Sequence, residues 1–406
     1  MPMPPAFRRL WWASAIDNVG DGAFAAAVPL LAVTITHDPR LVSVVSAATF
    51  LPWLLLSLPI GAIVDRRDRI TLMWQSQAIQ AAAVAAIAVL AAFGHAGIVD
   101  LAVLAFVLGG CEVVFGNASQ SVLPDVVPKE DLHKANGQLT AIMTAGQLFV
   151  GPPVGSLLFG IAVGLPFGMD VASFAVSAAL LATLPRRVHE PVVHPSFRRS
   201  IGEGLRWLTA NRLLRTLAIL LGINNFCGQL GNATLVLLAT QTLHLTPRGY
   251  GLLLAGAAVG AFAGGLVNAR VVALIGELPA LLTGMGGMAA VYLGIGLAPG
   301  AVLLGAFMAL NGFFMTMWNV VTVSLRQELV PSGLLGRVNS VYRMVGWGFM
   351  PLGALTGGFV AHALGLRAPY VLAFAIRMIV FVAAVPVLMA SLRATRAPRD
   401  VVDLPT

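Results

Sequence analysis

Twelve apolar runs recur along this 406-residue chain, each about as long as a helix needs to cross a hydrocarbon core. They cover about 10–33, 42–64, 70–93, 99–121, 136–160, 167–184, 215–240, 250–272, 279–298, 301–325, 338–361 and 369–391, and are numbered here as spans 1 to 12. Turn-forming stretches separate them, among them HDPR at 37–40, GHAG at 94–97, TPRG at 246–249 and VPSG at 330–333. Backbone groups in lipid must be satisfied inside the segment, so only helices or a closed barrel can cross. Barrel strands alternate polar and apolar over about ten residues. These runs are continuous and longer, so the chain is expected to be an all-α membrane protein. Composition agrees: the sequence is 58% hydrophobic, 10% charged and has a mean hydropathy of +0.87, against about a quarter charged in soluble domains. The first run holds Asp17, Asn18 and Asp21 with no small-residue cleavage site after it, which fits an uncleaved span better than a leader.

The formal charge of +8 could suggest a nucleic-acid partner. Its placement suggests a membrane instead. With the N-terminus inside, 20 Lys and Arg fall at inner ends and three (Arg40, Arg248, Arg367) in outer loops. That asymmetry places both termini in the cytoplasm and accounts for the basic character without nucleic acid. Arg343 and Arg377 lie within spans. Cys111 and Cys227 fall inside apolar runs and read as packing residues, and no spacing suits a metal. The one long connection, 185–212, divides six spans from six. Within it Ile201, Leu205 and Leu208 share a helical face, as expected of a short helix on the inner membrane surface. The expected organisation is a half at 1–184, a cytoplasmic linker at 185–212 and a half at 213–406.

The halves repeat. VPKEDLHKANGQL (127–139) aligns with VPSGLLGRVNSVY (330–342), and GAIVDRR (61–67) with GGLVNAR (264–270), at an offset of 203. Near the start of each half the offset is 207, where IDN (16–18) meets INN (223–225). Two six-helix halves in parallel orientation form the repeat pattern of a large transporter architecture.

On these residues the chain resembles the major facilitator superfamily of secondary transporters. Gly61, Asp65 and Arg66 match its motif between spans 2 and 3, although Asp68 stands where the motif has glycine. Gly151, Pro152 and Gly155 match its antiporter motif on span 5. VLPDVVPKEDLHKANG and MDVASFAVSA look like the branch of enterobactin exporters and macrolide efflux proteins. The resemblance implies that spans 1, 4, 7 and 10 line a central cavity, that spans 5 and 8 and spans 2 and 11 meet across the halves, and that Asp65 latches the halves at the start of span 11. The arginine common on span 4 of drug/proton antiporters is absent; Glu112 occupies that stretch.

Ionisable groups at mid-membrane are expensive, which marks them as functional candidates. Asp17 and Asp21 share a face of span 1, and Glu112 lies at similar depth in span 4. One of Asp21 and Glu112 is expected to take up and release a proton, with Asp17 beside them. The rival reading makes these acids ion-pair partners of Arg343 or Arg377, or solvated cavity walls. All seven histidines fall at span ends or in loops. Asn18, Asn224, Asn225, Gln229, Asn232, Asn311, Trp318 and Asn319 are the expected cavity residues, with Trp318 the favoured aromatic. GxxxG stripes at Gly151/Gly155, Gly256/Gly260/Gly264 and Gly353/Gly357 allow close helix approach and are expected between the halves.

The expected function is proton-coupled export of an amphipathic small molecule such as a drug, siderophore or secondary metabolite, by a monomer with no cofactor. The alternative is an uptake symporter on the same fold, and a third class is a non-transporting receptor or scaffold. No nucleophile–base pair or phosphate-binding GxxxxGK[ST] loop is present, so an enzyme or an ATP-driven pump is not expected.

Overall fold

A computed structural model describes residues 4–64, 67–184 and 197–396. Asp65 and Arg66 lie outside the described residues, as do the surroundings of Gly61 and the side chain of Arg343. The described chain is helical throughout, without strands. Eleven helices are long and apolar enough to cross a membrane, and Pro39–Leu55 is a shorter apolar helix that Ser57–Val64 extends. Together they are the twelve spans.

Local chemistry sets their ends. Asp38 caps span 2 by accepting from the Arg40 backbone N–H at 2.9 Å, with Pro39 in the first turn. Thr246 caps span 8, Pro247–Ile275, in the same way. Asp68 caps span 3, Arg69–Ala92, by accepting from the Thr71 N–H at 2.6 Å, so the acid that replaces the motif glycine has a local task. Span 2 breaks at Leu56, one turn after Pro52, whose ring removes a backbone donor. Span 5 widens into a π-helical stretch at Ala145–Val150 just before Pro152 and Pro153.

Spans 1 to 6 pack with one another, and spans 7 to 12 likewise. Across the halves span 2 meets span 11, and span 5 meets span 8. The glycine stripes are used differently from expectation. A Cβ on Gly155 would overlap the Ala23 carbonyl of span 1, and one on Gly151 would overlap Gly22. Gly260 and Gly264 press against Ala309 and Phe313 of span 10, and Gly353 and Gly357 against Phe226 and Leu230 of span 7. All of these contacts lie within a half. Between halves the close approaches are Gly251 on Ser156 and Gly358 on Ser43. The reason is steric. Six helices bundled round a polar interior need backbone-to-backbone contact inside each bundle, whereas at the seam small residues meet singly, among larger apolar side chains.

With an even number of spans the two termini lie at one end. There the halves have separate cores, Phe7, Leu10, Met73, Val122 and Leu181 in one and Leu214, Leu325, Val338 and Leu388 in the other. At the far end one core joins them, with Val28 and Leu31 of span 1 in the same cluster as Leu237 and Leu238 of span 7. The halves are thus seated together away from the termini and separate at the terminal end.

The linker helix, Phe197–Ala210, packs against the second half. Leu208 is buried in the core of the second half, while Leu205 is exposed; the side chain of Ile201 is outside the description. Glu203 accepts an ion-paired hydrogen bond from Arg337 at the start of span 11. The helix therefore docks on the second half.

Candidate functional site

The first half holds four carboxylates. Span 1, Pro5–Ile35, supplies Asp17 and Asp21; span 4, Ile98–Val126, supplies Glu112; span 6, Gly164–Ala182, supplies Asp170. Asp17 is buried, lies beside Gln77 of span 3, and is close enough to Asp170 and Glu112 to interact electrostatically. Asp21 interacts with Asp17 and Glu112 and lies beside Gln147 of span 5. Asp170 is fully buried, interacts with Asp21, and sits where a Cβ on Gly20 would strike it. Span 1 can approach span 6 this closely because position 20 has no side chain.

Polar atoms in this cluster are left over. Oδ1 of Asp17, Oδ2 of Asp170 and Oε1 of both Gln77 and Gln80 are buried without a hydrogen-bond partner. None of the described residues that interact with the four acids is basic. Two of the participants, Asp170 and Gln77, are not among the residues expected from the sequence, and Gln80 lies one turn from Gln77. Asp170 was legible as a charge inside an apolar run. Gln77 and Gln80 share a face of span 3, but glutamines give no signal of that kind.

The expected ion-pair role of Arg377 is overturned. Its guanidinium lies in the second half, away from the acids. Nη1 donates to the Met288 carbonyl at 3.3 Å and Nη2 to the Asn224 carbonyl at 3.2 Å. The group stacks 3.9 Å from the centroid of the Tyr292 ring. It is held by neutral dipoles and a ring face, because the spans carrying the acids belong to the other bundle.

The expected cavity residues do not form one wall. Asn18 is buried, donates to the Ser14 carbonyl of its own helix at 2.6 Å and packs on Gly146 of span 5. Asn225 is buried and donates to the Gly346 carbonyl of span 11 at 2.9 Å, tying spans 7 and 11. Asn224 and Trp318 line a small cavity with Arg377. Gln229 is half-buried, Asn232 and Asn319 are exposed, and Asn311 is half-buried with its Oδ1 unpaired. Trp53 of span 2 packs at a tilt of 53° against Trp347 of span 11 across the seam, with centroids 4.2 Å apart. A wider cavity of about 330 Å³ opens at the terminal end between spans 1 and 5, walled by Trp11, Trp12 and Gln138.

The transmembrane secretion effector family profile matches residues 3–403. The chain is 25% identical to macrolide efflux protein A of Streptococcus pyogenes over 374 residues, which is 89% of this chain and 90% of that one. It is 29% identical to the multidrug efflux pump Tap of Mycobacterium tuberculosis over 386 residues, 90% of this chain and 89% of that one. Among solved structures, a bacterial homologue of the iron transporter ferroportin in an inward-facing state superposes with a TM-score of 0.76 at 16% identity, over 95% of this chain and 98% of that one. The nucleoside transporter NupG gives 0.73 at 13% identity, over 96% and 99%. These two likenesses establish the fold.

Proposed function

The chain belongs to the transmembrane secretion effector family of the major facilitator superfamily, and from that premise we propose that it is a proton-coupled antiporter exporting amphipathic small molecules. It is a multi-pass membrane transporter and not an enzyme. The observation that carries proton coupling is the cluster of Asp17, Asp21, Glu112 and Asp170 without a basic neighbour among the described residues. Four negative charges in a membrane interior would be costly together. Protons are the smallest charges that can balance them, and a site that binds protons on one side and gives them up on the other can couple to the membrane gradient. One proton moving down 100 mV supplies about 2.3 kcal/mol.

Export is supported by the relatives named as efflux pumps and by the antiporter motif at Gly151, Pro152 and Gly155. Drugs, siderophores and secondary metabolites fit the amphipathic class. In this reading both termini are cytoplasmic in a bacterial cell membrane, the arrangement described is the one closed to the outside, and the monomer suffices. Asp65 acts as the latch between the halves in the opposite state. The working pair is Asp21 and Glu112, with Asp17 and Asp170 tuning it. The test is export from proteoliposomes under an imposed pH gradient. Asp21→Asn or Glu112→Gln is expected to reduce it at least tenfold, and full activity in both would sink the reading.

A further inference from the structure

The two halves carry the same buried position with opposite chemistry. Asp170 and Arg377 are 207 residues apart, the offset that also relates Asp17 to Asn224. Asp170 packs against Gly20 of span 1, and Arg377 reaches Cys227 of span 7, again 207 residues on. Phe174 and Phe381, and Leu181 and Leu388, follow in the same register. The first half thus places an acid, Asp170, where the second places a cation, Arg377.

That cation is incompletely satisfied. Arg377 is nine-tenths buried, and no carboxylate lies within ion-pair distance of it among the described residues. Its Nε–H has no acceptor. Neither has the indole N–H of Trp318, which is also buried. Arg377, Trp318, Asn224, Met285 and Met288 line one cavity of about 30 Å³. A water needs roughly 10–15 Å³ of such space, so the cavity suits one small ion or one compact functional group. A buried cation with spare donors, a second donor from an indole and no local acid calls for a negative guest.

We propose that this cavity binds a small anion, of halide or carboxylate size, held by the Nε–H of Arg377 and the Nε1–H of Trp318. The guest is either a free ion such as chloride or the carboxylate end of a transported molecule, and both present the same compact negative charge. The site makes the second half a negative-group receptor opposite the proton-binding acids of the first.

The experiment follows thermal unfolding of the whole purified protein in detergent at fixed ionic strength. Sodium chloride or sodium acetate replaces the salt of a bulky sulfonate, morpholinoethanesulfonate. Saturable stabilisation of roughly 3 °C in wild type is expected, falling below about 1 °C in Trp318→Phe and in Arg377→Gln. Trp318→Phe keeps an aromatic side chain but loses the pyrrole ring with its N–H, so its salt response is read against its own melting temperature in the sulfonate, and it decides the matter if Arg377→Gln does not fold. Stabilisation by chloride identifies a free-ion site. Stabilisation by acetate alone identifies a head-group subsite. No saturable gain over the sulfonate overturns the proposal, as does a gain that both variants retain. The measurement needs no transport, so its outcome is separate from that of the export reading.

Discussion

His362 of span 11 lies 3.6 Å from the carboxylate of Asp38 at the head of span 2, joining the two halves at the end away from the termini. The same carboxylate is gripped by Arg40, whose Nη2 donates to it at 2.7 Å. Arg40 holds the Asp38 carboxyl down to about 2, with a smaller contribution from His362.

A depressed carboxyl stabilises the folded protein above its unfolded value, about 3.9, and that contribution is lost as pH falls toward 2. The gap in melting temperature between wild type and Asp38→Asn is therefore expected to be full at pH 5 and above, and to close between about pH 4 and 2. The group is near the surface, so the shift is small and shrinks in high salt. Melting curves at low and high ionic strength check both features.

The two acids of the turn between spans 2 and 3, Asp65 and Asp68, are expected to differ in role. Asp68→Ala removes the cap on span 3 and costs about 1 kcal/mol of stability, whereas Asp68→Asn keeps a capping side chain and costs little. Asp65→Asn is expected to slow transport while leaving melting and membrane insertion intact. Paired melting and transport assays on the three variants read this out.

Gly155→Ala places a methyl group in the Ala23 carbonyl of span 1, where backbone rather than a flexible side chain must move. A loss of about 1–3 kcal/mol is expected. Gly265→Ala, which meets open space, is expected to change stability by less than about 0.5 kcal/mol. Thermal unfolding of the purified pair compares them.

Gly358→Leu tests the seam. Its side chain would overlap Ser43 and the Pro39 carbonyl, so the halves could not seat at the end away from the termini. Transport is expected to fall at least tenfold. A cysteine introduced at Leu235, buried in the joint core, is expected to label faster with an impermeant maleimide in that background.

Much of the site was written in single residues. Asp17, Asp21 and Glu112 were visible because a charge in an apolar run is costly wherever the run folds. The neighbours Gln77 and Gln80 were not, because an amide costs too little to stand out. Arg377 was visible, but its surroundings were not. Its contacts come from Asn224, Met288 and Tyr292, which lie on two other spans. The glycine stripes showed close packing and not the partner, since GxxxG describes one helix surface and says nothing of which helix meets it.

Taken alone, the sequence determined twelve helices, their turns, the twofold repeat and the family. These follow from solvent: lipid leaves a continuous apolar run little choice but a helix, and a repeated pattern folds the same way twice. Tertiary structure decided which faces meet. It gathered four acids into one bundle, set Arg377 and Trp318 round a separate cavity in the other, and turned the glycine stripes inward. Such contacts join residues as far apart in the chain as Asp38 and His362, and side-chain packing across spans, with no period in the sequence, selects them.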